Sequence, residues 1–283
     1  MPLKMDHQRV RSSHQTGLLH KELEELARRF GPGQLGFDPV RFPRAYAEPR
    51  DREVAALVSA LLAYGNVKAM GDYLGRLLAR LEPSPAAILA KGSPKLRPGP
   101  YRFQTGNDVD AFLGAVGRVL RDHGSLEAAF CAKEGTPEDR IEALAVLLRA
   151  AAGTASPGLL HLLPLPSGGS ACKRWWMFLR WVSRPDDGVD LGLWTCVSPS
   201  ELRMPVDTHV ARIAYALGLT TRKTADRAFA VELTDSLRAF CPEDPTRYDF
   251  ALAHLGISRA CRGRRVRTVC EACSLRAHCA IGK

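Results

Sequence analysis

Apolar residues recur along most of this chain at helical spacing. Leu19, Leu23, Leu26 and Phe30 fall at steps of three and four, predicting an amphipathic helix over Leu18 to Phe30 that Gly31-Pro32-Gly33 stops. Residues 1–16 are polar and basic without a period, so a flexible tail is expected there. Pro32, Pro39, Pro43 and Pro49 predict an extended connector over 31–50. Asp51 then reads as the N-cap of a buried helix ending at Gly65, followed by a helix from Val67 to Leu81 and a short one over Pro85 to Ala90 capped by Ser84. The stretch 92–106, rich in proline and glycine, reads as loop. Val109, Phe112, Leu113, Val116, Val119 and Leu120 give the apolar face of a helix over Asn107 to Asp122. Ser125 starts a weaker helix. Thr136-Pro137-Glu138-Asp139 is a strong start for one running to Ala152, and Ser156-Pro157 opens another short turn. Lys173 heads an apolar helix and Asp207 heads the next long one, with further helices over Arg222 to Phe240 and Thr246 to Gly256. No alternating strand and no solenoid period occurs, so the expected fold is all-α.

A length of 283 residues suffices for one domain or two closely packed ones. The formal charge of +10 suits a polyanionic partner, although many basic proteins bind no nucleic acid. The first fifteen residues contain no apolar targeting core, and no apolar run approaches the roughly 20 residues of a membrane span. A cytoplasmic protein is therefore expected. In that compartment the eight cysteines are better read as metal ligands or buried thiols than as disulfides.

Half of those cysteines change the picture. Cys261, Cys270, Cys273 and Cys279 stand within the last 23 residues, with eight, two and five residues between them. Four thiolates this close, two of them in a Cys-x2-Cys bite, suit a [4Fe–4S] cluster or a tetrahedral zinc. Between the first two lie Arg262, Arg264, Arg265 and Arg267, on a short loop that ligation would pin at both ends. Such a loop is suited to phosphate contacts, because pinning lowers the ordering cost of binding. Cys131, Cys172, Cys196 and Cys241 show no ligand spacing and read mostly as small buried fillers, with Cys172 beside Lys173 as a candidate pocket residue.

An apolar helix led by Lys173, the run Pro205-Val206-Asp207-Thr208-His209-Val210 and a four-cysteine tail follow one another in that order. The order resembles the helix-hairpin-helix (HhH-GPD) DNA glycosylase superfamily, in its iron–sulfur, endonuclease III type, over residues 50–283. The hairpin departs from the family's usual Leu-Pro-Gly-Val-Gly: here Leu163-Pro164-Leu165-Pro166-Ser167-Gly168-Gly169-Ser170 precedes the lysine. The resemblance implies two helical lobes, 53–202 carrying the hairpin and Lys173, and 17–52 with 203–283 carrying the cluster, with DNA in the cleft between them. It further implies a [4Fe–4S] cofactor, with zinc the plainer alternative, and a monomer acting near the nucleoid on duplex DNA that contains a damaged base.

It also assigns roles. Lys173 takes the place of a nucleophile that captures C1′ as a Schiff base, and Asp207 that of the carboxylate facing the positive charge that grows on the sugar as the base leaves. A free lysine, with pKa about 10.4, is almost wholly protonated at neutral pH, so an amine in this role needs burial or neighbouring cations. The amides of Gly168, Gly169 and Ser170 are expected at a DNA phosphate. His209 is expected to be structural or another phosphate contact, and Asn66, or Tyr64, at the gap left by a flipped base. Trp175, Trp176, Phe178 and Trp181 crowd one helix; most are core, and one is a candidate to stack on the extruded base. Two other readings stay open: a non-catalytic DNA-binding protein that retains this fold around a structural metal, and a zinc-binding adaptor for proteins.

Overall fold

The computed structural model describes residues 13–92 and 96–282. It is all-α: 61% of the chain is helix, and among the described residues no strand forms. The expected tail falls mostly outside the described residues, but Ser13 to Thr16 are the first turn of α1 (Ser13–Arg29) rather than tail. Contacts divide the chain into two units, one spanning Gln34–Leu202 and the other built from the chain before and after it. Among the described residues no helix is long and apolar enough to cross a membrane.

The Gln34–Leu202 unit contains α2 (Arg41–Arg44), α3 (Pro49–Leu61), α4 (Val67–Ala79), α5 (Pro85–Ala90), α6 (Gly106–His123), α7 (Leu126–Cys131), α8 (Pro137–Ala152), α9 (Pro157–Leu162) and α10 (Lys173–Ser183). Its starts follow the cap chemistry read from the chain. Thr136 and Asp139 form a reciprocal capping box on α8, and Ser84, Ser125 and Ser156 each accept an N–H from the first turn of their helices. Three expectations fail. The connector over 31–50 is not extended: its prolines admit a 3-10 turn (Pro32–Phe37) and α2. Asp51 lies inside α3, and its buried carboxylate accepts from Ser84 Oγ (2.7 Å) and Ala86 N (2.9 Å), so it caps α5, a helix more than thirty residues away. Residues 34–52, expected with the C-terminal segment, belong to this unit. Arg44 donates to Asp186 (3.0 Å) and to the Asp190 carbonyl (2.8 Å), and Arg52 to Asp186 (3.3 Å).

The cysteine reading also needs correction. Cys131 and Cys196 form a disulfide, closing a separation of 65 residues. Spacing along the chain carries no signal for such a pair, because packing of distant segments brings the sulfurs together.

α5 and α6 approach closely at Gly117. A Cβ there would stand 2.2 Å from the Leu89 carbonyl oxygen. Alanine in a helix interior is worth about 1 kcal/mol over glycine, but a backbone carbonyl cannot rotate away, and overpacking costs about 1–3 kcal/mol. Gly117→Ala is therefore expected to lower stability in a denaturant titration despite its better helix propensity; a higher midpoint would refute this packing argument.

The other unit joins α1 to α11 (Thr208–Ala216), α12 (Arg227–Arg238), α13 (Asp249–Ile257) and α14 (Arg267–Glu271). α12 starts five residues later than its apolar pattern predicts, because Asp226 supplies the cap. The apolar face of α1 buries Leu19, Leu23 and Leu26. Glu24 on that helix accepts from Tyr248 Oη (2.7 Å) and Arg247 (2.9 Å), tying α1 to the start of α13.

Candidate active site and cysteine cage

The four tail cysteines converge. Cys261, Cys270, Cys273 and Cys279 all carry free thiols and line one cavity of about 40 Å³, with Arg212, Arg262, Arg264 and Arg276 at its walls. That space exceeds the roughly 10–15 Å³ that one water-sized sphere requires. Local structure places them: Cys270 rides on α14, while Cys273 and Cys279 bracket a 3-10 turn (Ser274–His278). Buried Leu275 and a hydrogen bond from Ala280 N to Ala216 O (2.8 Å) fasten the turn to α11. Burial pushes the Cys273 thiol up, and the other three sulfurs add like-charge repulsion, so a bound cation would relieve a cost the fold imposes. Zinc at about 2.3 Å from each sulfur draws tetrahedral ligands to about 3.8 Å of one another. Among the described residues, the group of three or more potential ligand atoms lying within 4.8 Å of each other is Glu127, Cys131 and Cys196, not the tail cysteines. No three of the tail sulfurs lie that close together, so they are spread wider than one ion would draw them; four thiols are a donor set that either a [4Fe–4S] cluster or zinc accepts.

Lys173 is the first residue of α10, following Cys172 in the left-handed region at φ 46°. It is half-buried, its Nζ lies 3.1 Å from Met177 Sδ one turn on, and among the described residues it makes no ion pair. A cation at a helix N-terminus faces the positive end of the helix dipole. The amine is thus held against a thioether, with no carboxylate to neutralise it. Arg174 turns elsewhere: it donates to the Leu61 and His161 carbonyls and lies over the Tyr64 ring at 5.1 Å.

Asp207 caps α11. One carboxylate oxygen, Oδ1, accepts from His209 N and Val210 N, each at 2.8 Å. The other oxygen takes no hydrogen bond among the described residues, so a single side chain holds the helix start and still presents an acceptor. His209 packs against α13 at Gly256, where a Cβ would come within 2.5 Å of the histidine Cβ and 2.6 Å of its ring. That close contact gives His209 a structural role.

Other expected DNA contacts fare unevenly. The amides of Gly168 and Gly169 donate to Leu165 O (3.1 Å) and Pro166 O (3.0 Å) within their own turn. Ser167 is clamped by Glu142 through both N–H (3.0 Å) and hydroxyl (2.6 Å), placing a carboxylate beside the turn. Ser170 is exposed, and its Oγ accepts from Cys172 N (3.2 Å). Two of the three amides expected at a phosphate are therefore committed, because Pro166 closes a 3-10 turn (Pro166–Gly168) here. Asn66 is exposed and caps α4 through Ala69 N (3.1 Å). Arg262, Arg264, Arg265 and Arg267 are all exposed; Arg267 pairs with Glu271 at 2.9 Å, while among the described residues the other three make no ion pair.

None of the aromatics on α10 can stack on a base. Trp175, Trp176, Phe178 and Trp181 are each 2% exposed or less. Exposed aromatics lie elsewhere, at Phe37 and at Phe103, and the second has aromatic neighbours. Phe103, in the loop before α6, is 63% exposed, stacks on Tyr64 (6.2 Å, 11° between planes) and packs at a tilt against His161 (4.7 Å, 55°). Burial, then Arg174, pulls the His161 imidazole below its ordinary value, and Arg174 over Tyr64 and Arg102 over Phe103 supply cations to this group. The signal was present as an aromatic in a glycine- and proline-rich loop, which helical periodicity does not weigh. If this group meets duplex containing an unpaired base, Phe103→Ala is expected to weaken that binding about tenfold, since one base–aromatic stack is worth about 1–3 kcal/mol. Equal dissociation constants in a fluorescence titration would remove Phe103 from the interface.

The sequence model of a family described as a protein of unknown function, DUF2400, matches residues 38–258. No curated protein and no solved structure matches the chain.

Proposed function

We infer that this chain, which belongs to the DUF2400 family, is a base-excision DNA glycosylase with an associated strand-cleaving lyase step, acting on duplex DNA that carries a damaged base. The observation that carries the reading is Lys173: a half-buried primary amine at a helix start, backed by Met177 and joined to no carboxylate among the described residues. The Asp207 oxygen that takes no hydrogen bond among the described residues, and the exposed Arg262, Arg264 and Arg265, which make no ion pair among them, support it.

In the proposed reaction the C1′–N bond breaks, and the departing base takes the bonding electrons and then a proton. Positive charge on the sugar is stabilised by the Asp207 carboxylate. Lys173 Nζ bonds to C1′ and loses a proton, and ring opening gives a protonated imine. Loss of the C2′ proton then expels the 3′ phosphate, and water releases the lysine. Cys261, Cys270, Cys273 and Cys279 would hold a [4Fe–4S] cluster, which would pin the arginine loop at both ends through Cys261 and Cys270 and would supply no step of the reaction.

The test is a single-turnover incubation of purified protein with duplexes bearing oxidised, deaminated and alkylated bases. Release of one base class and strand scission are expected, together with a broad absorption band near about 400 nm from the protein. Intact bases and strands across the panel, with salt-sensitive duplex binding, would instead support a DNA-binding protein without catalysis. The committed amides of Gly168 and Gly169 favour that second reading. A protein transparent near that wavelength and loaded with zinc would replace the cluster.

A further inference from the structure

Two segments of the Gln34–Leu202 unit are held together by hydrogen bonds that do not involve their cysteine sulfurs. The buried Glu53 carboxylate on α3 accepts from Leu126 N (2.9 Å) and Glu127 N (2.7 Å) at the start of α7, and from Trp194 Nε1 (2.7 Å). Glu127 accepts from Thr195 N (2.9 Å), and Arg140 donates to the Cys196 carbonyl (2.9 Å). The Trp194 ring packs on Phe130 with centroids 5.1 Å apart. These contacts bracket Cys131, the last residue of α7, and Cys196, whose Cα atoms stand 6.5 Å apart. A carboxylate oxygen of Glu127 and the two sulfurs lie within 4.8 Å of one another, and all three residues are half-buried, open to small molecules.

We propose that Cys131 and Cys196 form a reversible thiol–disulfide pair whose dithiol state binds one zinc-like divalent cation, with Glu127 as third ligand and water as fourth. Reduction breaks the sulfur–sulfur bond but none of the bracketing hydrogen bonds, so the thiols stay side by side. Two thiolates on a tetrahedral zinc stand about 3.8 Å apart. Rotation about the Cys131 and Cys196 side chains opens that gap without moving either segment. Two sulfurs and a carboxylate oxygen are a donor set that zinc accepts, and the open position is filled by solvent.

The exchange balances with a small disulfide of the glutathione class as oxidant. One cysteine thiolate attacks it, displacing the first small thiolate and leaving a mixed disulfide. The other cysteine thiolate attacks that bond at the protein sulfur and displaces the second. Two electrons pass from the cysteines to the small disulfide, and the two protons go to the small thiolates. A bound cation occupies both thiolates, so cation and disulfide exclude each other. The pair belongs to the Gln34–Leu202 unit and the tail cysteines to the other, and the inference stands whether or not the chain excises bases.

The experiment uses the full chain and counts zinc by native mass spectrometry, in a phosphine reductant and after exposure to glutathione disulfide. The parent in phosphine is expected to carry one zinc more than the Cys131→Ser/Cys196→Ser variant, and to lose that zinc with two thiols on oxidation. Glu127→Gln is expected to weaken that site at least about tenfold, as loss of one metal-site contact typically does. Equal zinc in parent and double variant under phosphine overturns the proposal. So does loss of helical circular dichroism in the double variant, which would show that the disulfide, not the bracketing contacts, holds the segments.

Discussion

With the proposed lyase step, borohydride is expected to trap a covalent complex between this protein and a lesion-bearing duplex, and Lys173→Ala to abolish it. Reduction of an imine joins enzyme to sugar through the nitrogen that formed it, so a variant without that nitrogen leaves nothing to reduce. Duplex affinity should change little, within about threefold, because the half-buried amine contributes one charge among many phosphate contacts. That split between lost chemistry and kept binding separates catalysis from a structural role. Lys173→Arg sharpens it: the charge is retained, but a guanidinium is not a nucleophile at neutral pH. Trapping by either variant at the parent's level would move the nucleophile elsewhere and withdraw the lyase reading. Loss of duplex binding in Lys173→Ala, with the fold intact, would make this lysine a phosphate ligand instead.

Asp190→Ala should destabilise the protein more than Gly117→Ala, Phe103→Ala or Lys173→Ala. The carboxylate is fully buried and sits between two guanidiniums, accepting from Arg180 Nη2 at 2.8 Å and from Arg184. Arg180 is itself only 2% exposed. Removing the acid leaves a buried charge without its counter-ion, which costs about 3–5 kcal/mol. In a unit of this size each kcal/mol lowers the melting temperature by about 2–4 °C, so a fall of roughly 10 °C is expected in a thermal melt. The consequence reaches the candidate site through α10, because Arg180 and Lys173 share that helix and the Arg184–Trp194 insert folds back on it through Leu191 N and Leu193 N. A melting temperature within about 2 °C of the parent would show that these ions stay hydrated through motions of the insert. Replacing Arg180 and Asp190 together by apolar residues should cost less than Asp190→Ala alone, since the acid's main benefit is to neutralise its partners.

Helix content, most helix starts and the gathering of four cysteines were legible in the chain itself, because each depends on near neighbours. A capping box spans four residues, an amphipathic face repeats within two turns, and the tail cysteines fall within nineteen positions. Asp207 could be assigned its cap from the residues beside it, and the structure adds that only one of its oxygens is used. Some failures were local, as where α12 starts at the Asp226 cap and where Gly168 and Gly169 close a turn on Leu165 and Pro166, but most concerned partners far apart in the chain or the exposure that packing decides. Asp51 looked like a cap for its own helix and serves α5 instead. Most α10 aromatics looked like core, with one left to stack on a base, and all four are core, while exposed Phe103 carried no periodic signal. Gly168 and Gly169 looked like phosphate donors until the turn closed on their amides. Cys131 and Cys196 carried no mark of each other across 65 residues. Periodicity and capping are local energies that a few consecutive residues settle. Which buried carboxylate meets which amide, and which sulfur meets which, depends on how whole helices pack, and no short stretch of the chain encodes that choice by itself.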